Sequence, residues 1–162
     1  MTGGKSRDVH RTREDLVDAT VAASRALVGV AARSLAGMSE DVTLPQYRVL
    51  VLLASRGPQR VVDLAHSLDV NPSTATRMCD RLKRKELVDR EPVPGDRRAV
   101  RLVPTESGAA LVRAVMRRRR TEVGRILDKM SAAQRREVAD GLTFFAEAAG
   151  EAPEQEWSVG WR

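Results

Sequence analysis

The sequence predicts a mostly α-helical fold with one small β-hairpin, and three observations lead to this prediction. Apolar residues recur at three- and four-residue spacing through most of the 162 residues, as in helices that bury one face. Two short stretches, 87–91 and 99–103, are the exception and predict strands. Residues that favour helix N-caps precede five helical segments, at Thr12, Thr43, Asn71, Thr105 and Ser131.

The composition is that of a globular domain. Hydrophobic residues make up 42% of the chain and charged residues 31%, which allows a buried core and disfavours wholesale disorder. The 3% aromatic content disfavours a stacking surface for single-stranded nucleic acid. Apolar runs fall short of the roughly 18 residues that span a bilayer, and the basic segment 1–13 lacks the apolar stretch of a signal peptide. We therefore expect a cytoplasmic protein without a membrane partner.

Signals for metal binding and catalysis are weak. The lone Cys79 excludes an intrachain disulfide and continues an apolar helical stripe, so we expect it to pack in the core. His10 and His66 stand far apart, and neither has metal-ligand spacing around it. The dinucleotide-binding, P-loop, HExxH and GxSxG motifs do not occur. The sequence therefore predicts no metal and no cofactor.

The charge distribution favours a polyanionic partner. The formal net charge is +6, and residues 71–101 contain nine basic against five acidic residues. The arginine run 117–120 is less informative, because four successive helical residues face four directions. Arg119 falls near the apolar stripe of its helix, so it needs a partner, for which Glu14, Asp18 or an anionic ligand are the candidates.

The first 68 residues are predicted to form three helices. A capping box at 12–15 opens a long amphipathic helix that ends near Gly37. A second capping box at 43–46 opens a helix that stops at Gly57 and the proline after it. A short third helix covers about 62–68, and its start has no Ser, Thr, Asp or Asn at the cap.

A fourth helix and the two strands follow. Asn71 and the proline after it suit the N-cap and first helical positions. The connection at 92–98 is too long and too rich in proline for a two-residue hairpin turn. We expect a protruding loop with Arg97 and Arg98 near its tip. After the strands, two more helices run from Thr105 to about Met130 and from a capping box at Ser131 and Gln134 to Gly150.

The order of helix, short helix, turn, helix, strand, basic loop and strand is that of a winged helix-turn-helix. A helix fits the major groove of B-DNA, and small polar residues in its first turns allow close approach. A loop tipped with arginines suits the neighbouring minor groove, where negative potential concentrates. The candidate DNA-binding residues are Pro72, Ser73, Thr74, Thr76, Arg77, Arg81, Arg97 and Arg98.

Several segments match a family pattern. The run PSTATRMCDRL at 72–82 is followed by Leu-Val at 87–88, by Asp-Arg-Arg at 96–98 and by Thr-Glu-Ser-Gly at 105–108. Together these segments resemble the recognition helix, the Asp-x-Arg wing and the closing Thr-x-x-Gly of the MarR family of bacterial transcriptional regulators. The helical order is similar over about residues 12–150.

The resemblance implies a repressor that binds a pseudo-palindromic operator of double-stranded DNA on the bacterial nucleoid as a homodimer. It assigns 12–40 and 105–150 to a helical dimerisation domain and 43–104 to a winged helix-turn-helix DNA-binding domain. Segment 1–11 is then a flexible N-terminal tail, and 151–162 a C-terminal tail. The tail's two tryptophans are either disordered or a strap across the dimer interface.

The resemblance also implies roles for single residues. The arginine that matches Arg98 enters the minor groove, and Asp80 or Asp96 orients it. A small lipophilic or anionic effector is a further implied partner, for which Arg119 and His66 are the candidate ligand-binding residues. Glu86 stands where the pattern has glycine, so either it adopts a left-handed conformation or the helix cap differs.

Two alternatives to this function remain. A sequence-neutral architectural DNA-binding protein would use the same basic face without a ligand, and its affinity would fall with salt for every duplex alike. A small enzyme would bring a convergent set of titratable side chains into a pocket.

Overall fold

The computed structural model describes residues 12–38, 41–93, 95–151 and 157, except for the side chains of 96–98. This part of the chain contains six helices and one two-stranded antiparallel sheet, which confirms the predicted mostly α-helical fold with a β-hairpin. The elements are α1 (Arg13–Ala36), α2 (Leu44–Arg56), α3 (Val61–Leu68), α4 (Pro72–Arg84), β1 (Val88–Val93), β2 (Asp96–Pro104), α5 (Glu106–Leu127) and α6 (Ala132–Ala148).

The helices begin at the predicted caps. The three capping boxes open α1, α2 and α6, and in each the two side chains satisfy each other's backbone N–H groups. Asn71 accepts the N–H of Thr74 at 2.8 Å at the start of α4, and Thr105 accepts that of Gly108 at 3.1 Å at the start of α5. These bonds satisfy amides that a helix N-terminus leaves without an intrahelical partner.

The start of α3 is held in another way. Arg60 occupies the N-cap position, and its side chain makes no capping hydrogen bond to the helix backbone. Its guanidinium instead donates from Nε and Nη2 to the Asp63 carboxylate, at 3.0 and 3.1 Å. This hydrogen bonding lowers the pKa of the Asp63 carboxyl, so a negative charge persists in the first turn, where the helix dipole favours it.

The hydrophobic core is centred on α2, in which eight of thirteen residues are buried. This helix packs against α1, α3, α4, α5 and β2. Cys79 of α4 is fully buried in this core, which confirms the packing interpretation. Burial raises the pKa of its thiol to about 11, so the thiol stays protonated at neutral pH. Other fully buried core residues are Leu50, Leu52, Leu53, Leu64, Leu82 and Leu102.

The strand connection differs from the prediction. β1 and β2 extend until Val93 pairs with Asp96, so the predicted long loop at 92–98 is wrong. Gly95 in the turn has a φ of 85°, which glycine adopts without strain. The register shifts next to this pair, and residues 97–99 of β2 have no opposite residue in β1. This bulge takes up the extra residues, and the proline of β1 is tolerated because a two-stranded sheet has only edge strands.

The fourth helix ends in a left-handed residue. Glu86 has a φ of 57°, which confirms the left-handed alternative at this position. The N–H of Glu86 donates to the Lys83 carbonyl oxygen at 2.9 Å, and that of Leu87 to the Leu82 carbonyl oxygen at 3.0 Å. These two bonds form a Schellman motif. The third helix ends similarly at Asp69, whose φ is 51°, in the turn that leads to α4.

The C-terminal segment returns to α2. The Arg48 guanidinium pairs with the carboxylate of Glu151, which lies just beyond α6. Trp157 is half-buried and packs against the core of its own chain. From the sequence we expected either disorder or a strap across the dimer interface, and neither includes this contact. Trp161 lies outside the described residues. The fifth helix ends at Leu127 rather than near Met130, because the last residues before α6 form a turn.

Two helices leave apolar side chains uncovered. The first half of α1, residues 13–26, is exposed throughout, and no residue of α6 is buried among the described ones. The large apolar side chains exposed on these helices are Leu16, Val17, Val21, Val28, Leu142, Phe144 and Phe145.

Candidate DNA-binding site

The fourth helix presents its polar face outward because it buries the opposite one. Ala75, Cys79 and Leu82 are buried, and at 100° per residue they share one side of the helix. Of the residues predicted to bind DNA, Thr74 is half-buried. The others described on this helix are exposed: Pro72, Ser73, Thr76, Arg77 and Arg81.

Hydrogen bonds hold the polar side chains of the first turns close to the helix. Asn71 Oδ1 accepts from the Ser73 hydroxyl and from the Thr74 N–H, both at 2.8 Å. The Thr76 hydroxyl donates to the backbone carbonyl four residues earlier, also at 2.8 Å. Arg77 Nη2 donates to Thr74 Oγ1 at 3.2 Å. The start of α4 therefore carries small polar side chains with donors and acceptors, as a helix that approaches base edges requires.

Basic side chains dominate the rest of this face. An open depression with a volume of about 610 Å³ lies along it. Its lining residues are Arg77, Asp80, Arg81, Lys83 and Arg84. Four of these five side chains are cations, so the surface attracts a polyanion such as the phosphate backbone.

The acidic residue of this set, Asp80, ties α4 to the hairpin. Asp80 Oδ1 accepts from Arg90 Nη2 of β1 at 2.6 Å. Lys83 Nζ donates to Asp89 Oδ1 at 2.9 Å, and this hydrogen bond lowers the pKa of the Asp89 carboxyl. Two ion pairs therefore join the second half of α4 to the first strand and restrain the direction in which the hairpin projects.

Cross-strand contacts stiffen the base of the hairpin. Glu91 and Arg101 stand opposite each other on the two strands and form an ion pair at 2.6 Å. Leu102 is buried and exchanges two backbone hydrogen bonds, of 2.7 and 3.1 Å, with Gln59, which precedes α3. The hairpin is thus anchored to the helix-turn-helix on the side away from its turn.

The predicted wing residues lie at the start of β2. Asp96 is its first residue and pairs with Val93 beside the turn, and Arg97 and Arg98 belong to the bulge. Their side chains lie outside the described part of the chain, so the roles of Arg98 in the minor groove and of Asp96 in orienting it stay predictions.

The two candidate ligand-binding residues lie on other helices. His66 is exposed near the end of α3, and Arg119 is half-buried on α5. Within the described ranges Arg119 forms no ion pair with Glu14 or Asp18, which are exposed on α1. The same ranges hold no group of three or more His, Cys, Asp or Glu side chains able to bind a metal ion. None of the described helices combines the length and apolar character needed to cross a membrane.

Arg90 is a site residue that the sequence reasoning missed. A signal for it exists in the charges on either side of the tight turn after α4. Asp80 and Lys83 precede this turn, and residues of opposite charge, Asp89 and Arg90, follow it. The left-handed residue at the end of α4 folds the strand back beside the helix, which brings the two pairs together.

The polar start of α4, its basic face and the hairpin attached to it define a winged helix-turn-helix protein of the DNA-binding class. The family model described as "MarR family" matches residues 42–100. The chain belongs to the MarR family and is therefore a transcriptional regulator that binds DNA.

Three comparisons illustrate this relationship. RV1404 from Mycobacterium tuberculosis, known from a crystal structure, is 43% identical in sequence to this chain, and the two structures match with a TM-score of 0.81. The match covers 88% of this chain and 97% of RV1404. The HTH-type transcriptional repressor MdtR of Bacillus subtilis is 31% identical, over 68% of this chain and 71% of its own. Streptococcus pneumoniae FabT, crystallised in complex with DNA, shares the fold at 20% identity and a TM-score of 0.68, over 86% of this chain and 98% of its own.

We expect Arg90→Ala to weaken binding to duplex DNA, because the Asp80 carboxylate then lies unneutralised beside the exposed arginines of α4. The expected loss is roughly 0.5–1 kcal/mol at low salt, as for other exposed ion pairs. Adding Asp80→Asn to Arg90→Ala should recover most of it. Fluorescence anisotropy with a random-sequence duplex measures both affinities. Arg101→Ala, which breaks the ion pair within the hairpin, is the control. A double variant that binds the duplex no more tightly than Arg90→Ala would contradict the prediction.

Proposed function

We propose that this protein represses transcription in a bacterial cytoplasm by binding a pseudo-palindromic operator as a homodimer. The observation that carries the proposal is the exposed, polar and basic face of α4, held against a β-hairpin by the Asp80–Arg90 ion pair. A duplex offers two adjacent grooves at the spacing of a helix and a neighbouring hairpin.

The start of α4 enters the major groove in this proposal. Ser73, Thr74 and Thr76 contact base edges or phosphates there, with Pro72 at the tip of the helix. Arg77, one turn further, reaches guanine or phosphate, and Arg81 contacts the backbone. The exposure of this face and its surplus of cations support these roles.

The hairpin enters the flanking minor groove. Arg98 is the residue that reads its narrow stretches, and Arg97 binds beside it. Asp96 orients the wing from within β2. Asp80 orients the hairpin through its ion pair with Arg90. Arg90 lies on β1 closer to the base of the hairpin than Arg97 and Arg98 do.

A second copy of the chain covers the apolar faces of α1 and α6. Phe144 and Phe145 of α6 are 70% and 56% exposed, and Leu16 and Val28 of α1 are 53% and 59% exposed. Large apolar side chains left exposed in such numbers on two helices are typical of a protein interface. The helical regions 12–40 and 105–150 would thus form the dimerisation domain, and the winged lobe at 43–104 would project from it.

Release from DNA would follow from a small lipophilic or anionic effector. Such a ligand releases the protein from DNA only if it binds with different affinity to two arrangements of the dimer, one with a lobe spacing that fits the operator and one without. The half-buried guanidinium of Arg119 and the exposed ring of His66 are the side chains proposed to bind it. Repression itself is supported by the relative MdtR, which is a transcriptional repressor.

The crystal structure of FabT in complex with DNA supports DNA as the partner of this fold. The relatives are transcriptional regulators, which favours a regulator over an enzyme.

A sequence-neutral architectural protein differs from a regulator in its specificity ratio, the affinity for the preferred palindrome divided by that for random duplex. We expect the preferred palindrome to bind about 10³-fold more tightly than random duplex.

Arg98→Ala should weaken binding to that palindrome by about 1–3 kcal/mol while leaving the oligomeric state unchanged. Arg77→Ala should weaken it as well, and a smaller loss on random duplex would assign base readout to Arg77. Electrophoretic mobility shifts measure both affinities. Lys129→Ala, in the turn after α5, removes the same charge far from α4 and should change neither. Unchanged palindrome affinity for Arg98→Ala would remove the assigned role of the wing.

Phe144→Asp should convert the dimer to a monomer, because it places a charge in an apolar interface. Sedimentation velocity measures the change in mass. Val100→Asp introduces the same charge at an exposed apolar position of the hairpin, and this control should stay dimeric. A Phe144→Asp protein that sediments as a dimer at micromolar concentration would be incompatible with the proposed interface.

A further inference from the structure

The first turn of α5 lies directly against Glu86 and Leu87, the residues that follow α4. Gly108, which is buried in this turn, faces the backbone of Leu87. A Cβ atom at position 108 would overlap the Leu87 carbonyl oxygen and stand 3.0 Å from its carbonyl carbon. Both of these are backbone atoms and cannot rotate away as a side chain would. The close approach of two backbones therefore requires glycine here.

Thr105 holds the same junction together by hydrogen bonds. Its hydroxyl donates to the Glu86 carbonyl oxygen at 2.6 Å, and its backbone N–H donates to the Leu87 carbonyl oxygen at 3.1 Å. The hydroxyl oxygen also accepts the Gly108 N–H as the N-cap of α5. One side chain thus caps α5 and attaches it to the left-handed residue that ends α4.

The fifth helix extends this junction toward the far end of the molecule. It runs for 22 residues, a length of about 33 Å. Val112, Val115 and Met116 of its first half lie in the core, whereas no residue in 117–127 is buried. A tilt of about 10° at the junction would move the far end by roughly 6 Å. The recognition helices of a dimer must meet sites about 34 Å apart, so such a displacement is large.

We propose that the junction of Thr105 and Gly108 with Glu86 and Leu87 positions α4 on α5, and thereby sets the spacing at which two recognition helices meet one duplex. This inference rests on the proposed function, operator binding by a dimer. It adds that residues remote from the DNA-binding face determine affinity for the full palindrome and the preferred half-site spacing. Thr105 and Gly108 are positioning residues in this sense.

The test compares a full palindrome with a single half-site, using full-length protein. The palindrome is the duplex that the wild-type protein selects from a random-sequence pool. Gly108→Ala should bind the full palindrome at least tenfold more weakly than wild type, with half-site affinity changed less than twofold. Its preference among palindromes with one base pair added or removed between half-sites should shift. Ser107→Ala, an exposed position in the same turn, should leave all these values unchanged.

A second pair of variants guards against a misfolded Gly108→Ala protein. Thr105→Val removes the hydroxyl that donates to Glu86 and should lower affinity for the full palindrome but not for the half-site. Thr105→Ser keeps the hydroxyl and should bind as tightly as wild type. Circular dichroism and sedimentation check fold and dimer. Equal losses on full site and half-site, or no loss on either, would overturn the positioning role alone. A wild-type protein without preference for the palindrome over its half would overturn the proposed function, and this inference with it.

Discussion

The burial of one side of α4 is the constraint on which the rest of the structure depends. Ala75, Cys79 and Leu82 are completely buried against a core centred on α2. Burying a leucine side chain contributes about 2 kcal/mol, so turning α4 by one residue would forfeit several kcal/mol of hydrophobic stabilisation. Because the helix has a single apolar side, its polar and basic side must face solvent. The exposed polar and basic surface that we propose to contact DNA is therefore a consequence of how the core packs.

Two sets of contacts fix the position of this helix relative to its neighbours. On one side the Asp80–Arg90 and Lys83–Asp89 pairs attach the hairpin, and these exposed pairs orient the hairpin more than they stabilise the fold. At its end, the Schellman turn at Glu86 meets the first turn of α5 without room for a side chain at Gly108. The recognition helix thus has a defined relation both to the wing and to the long helix that leads away from it.

Local features were predictable from the sequence, whereas contacts that depend on packing were not. The capping boxes, Asn71 and Thr105 specify helix starts through bonds that span three residues, so their prediction needed no tertiary information. The length of the hairpin was missed because the bulge at 97–99 shifts the register, and a register is set by pairing between strands. The Asp80–Arg90 pair and the packing of Trp157 against the core were missed for the same reason, since both join residues that only the folded chain brings together.

Hydroxyl-radical and guanine-N7 methylation footprinting on the selected palindrome is the most direct measurement of whether α4 and the hairpin occupy adjacent grooves of one duplex. We expect two protected major-groove segments one helical turn apart, each bordered on its outer side by a protected minor groove. Loss of the outer minor-groove protection in Arg98→Ala, with major-groove protection kept, would assign each groove to its element. Uniform protection along the duplex, or major-groove protection without flanking minor-groove contact, would contradict the proposed arrangement.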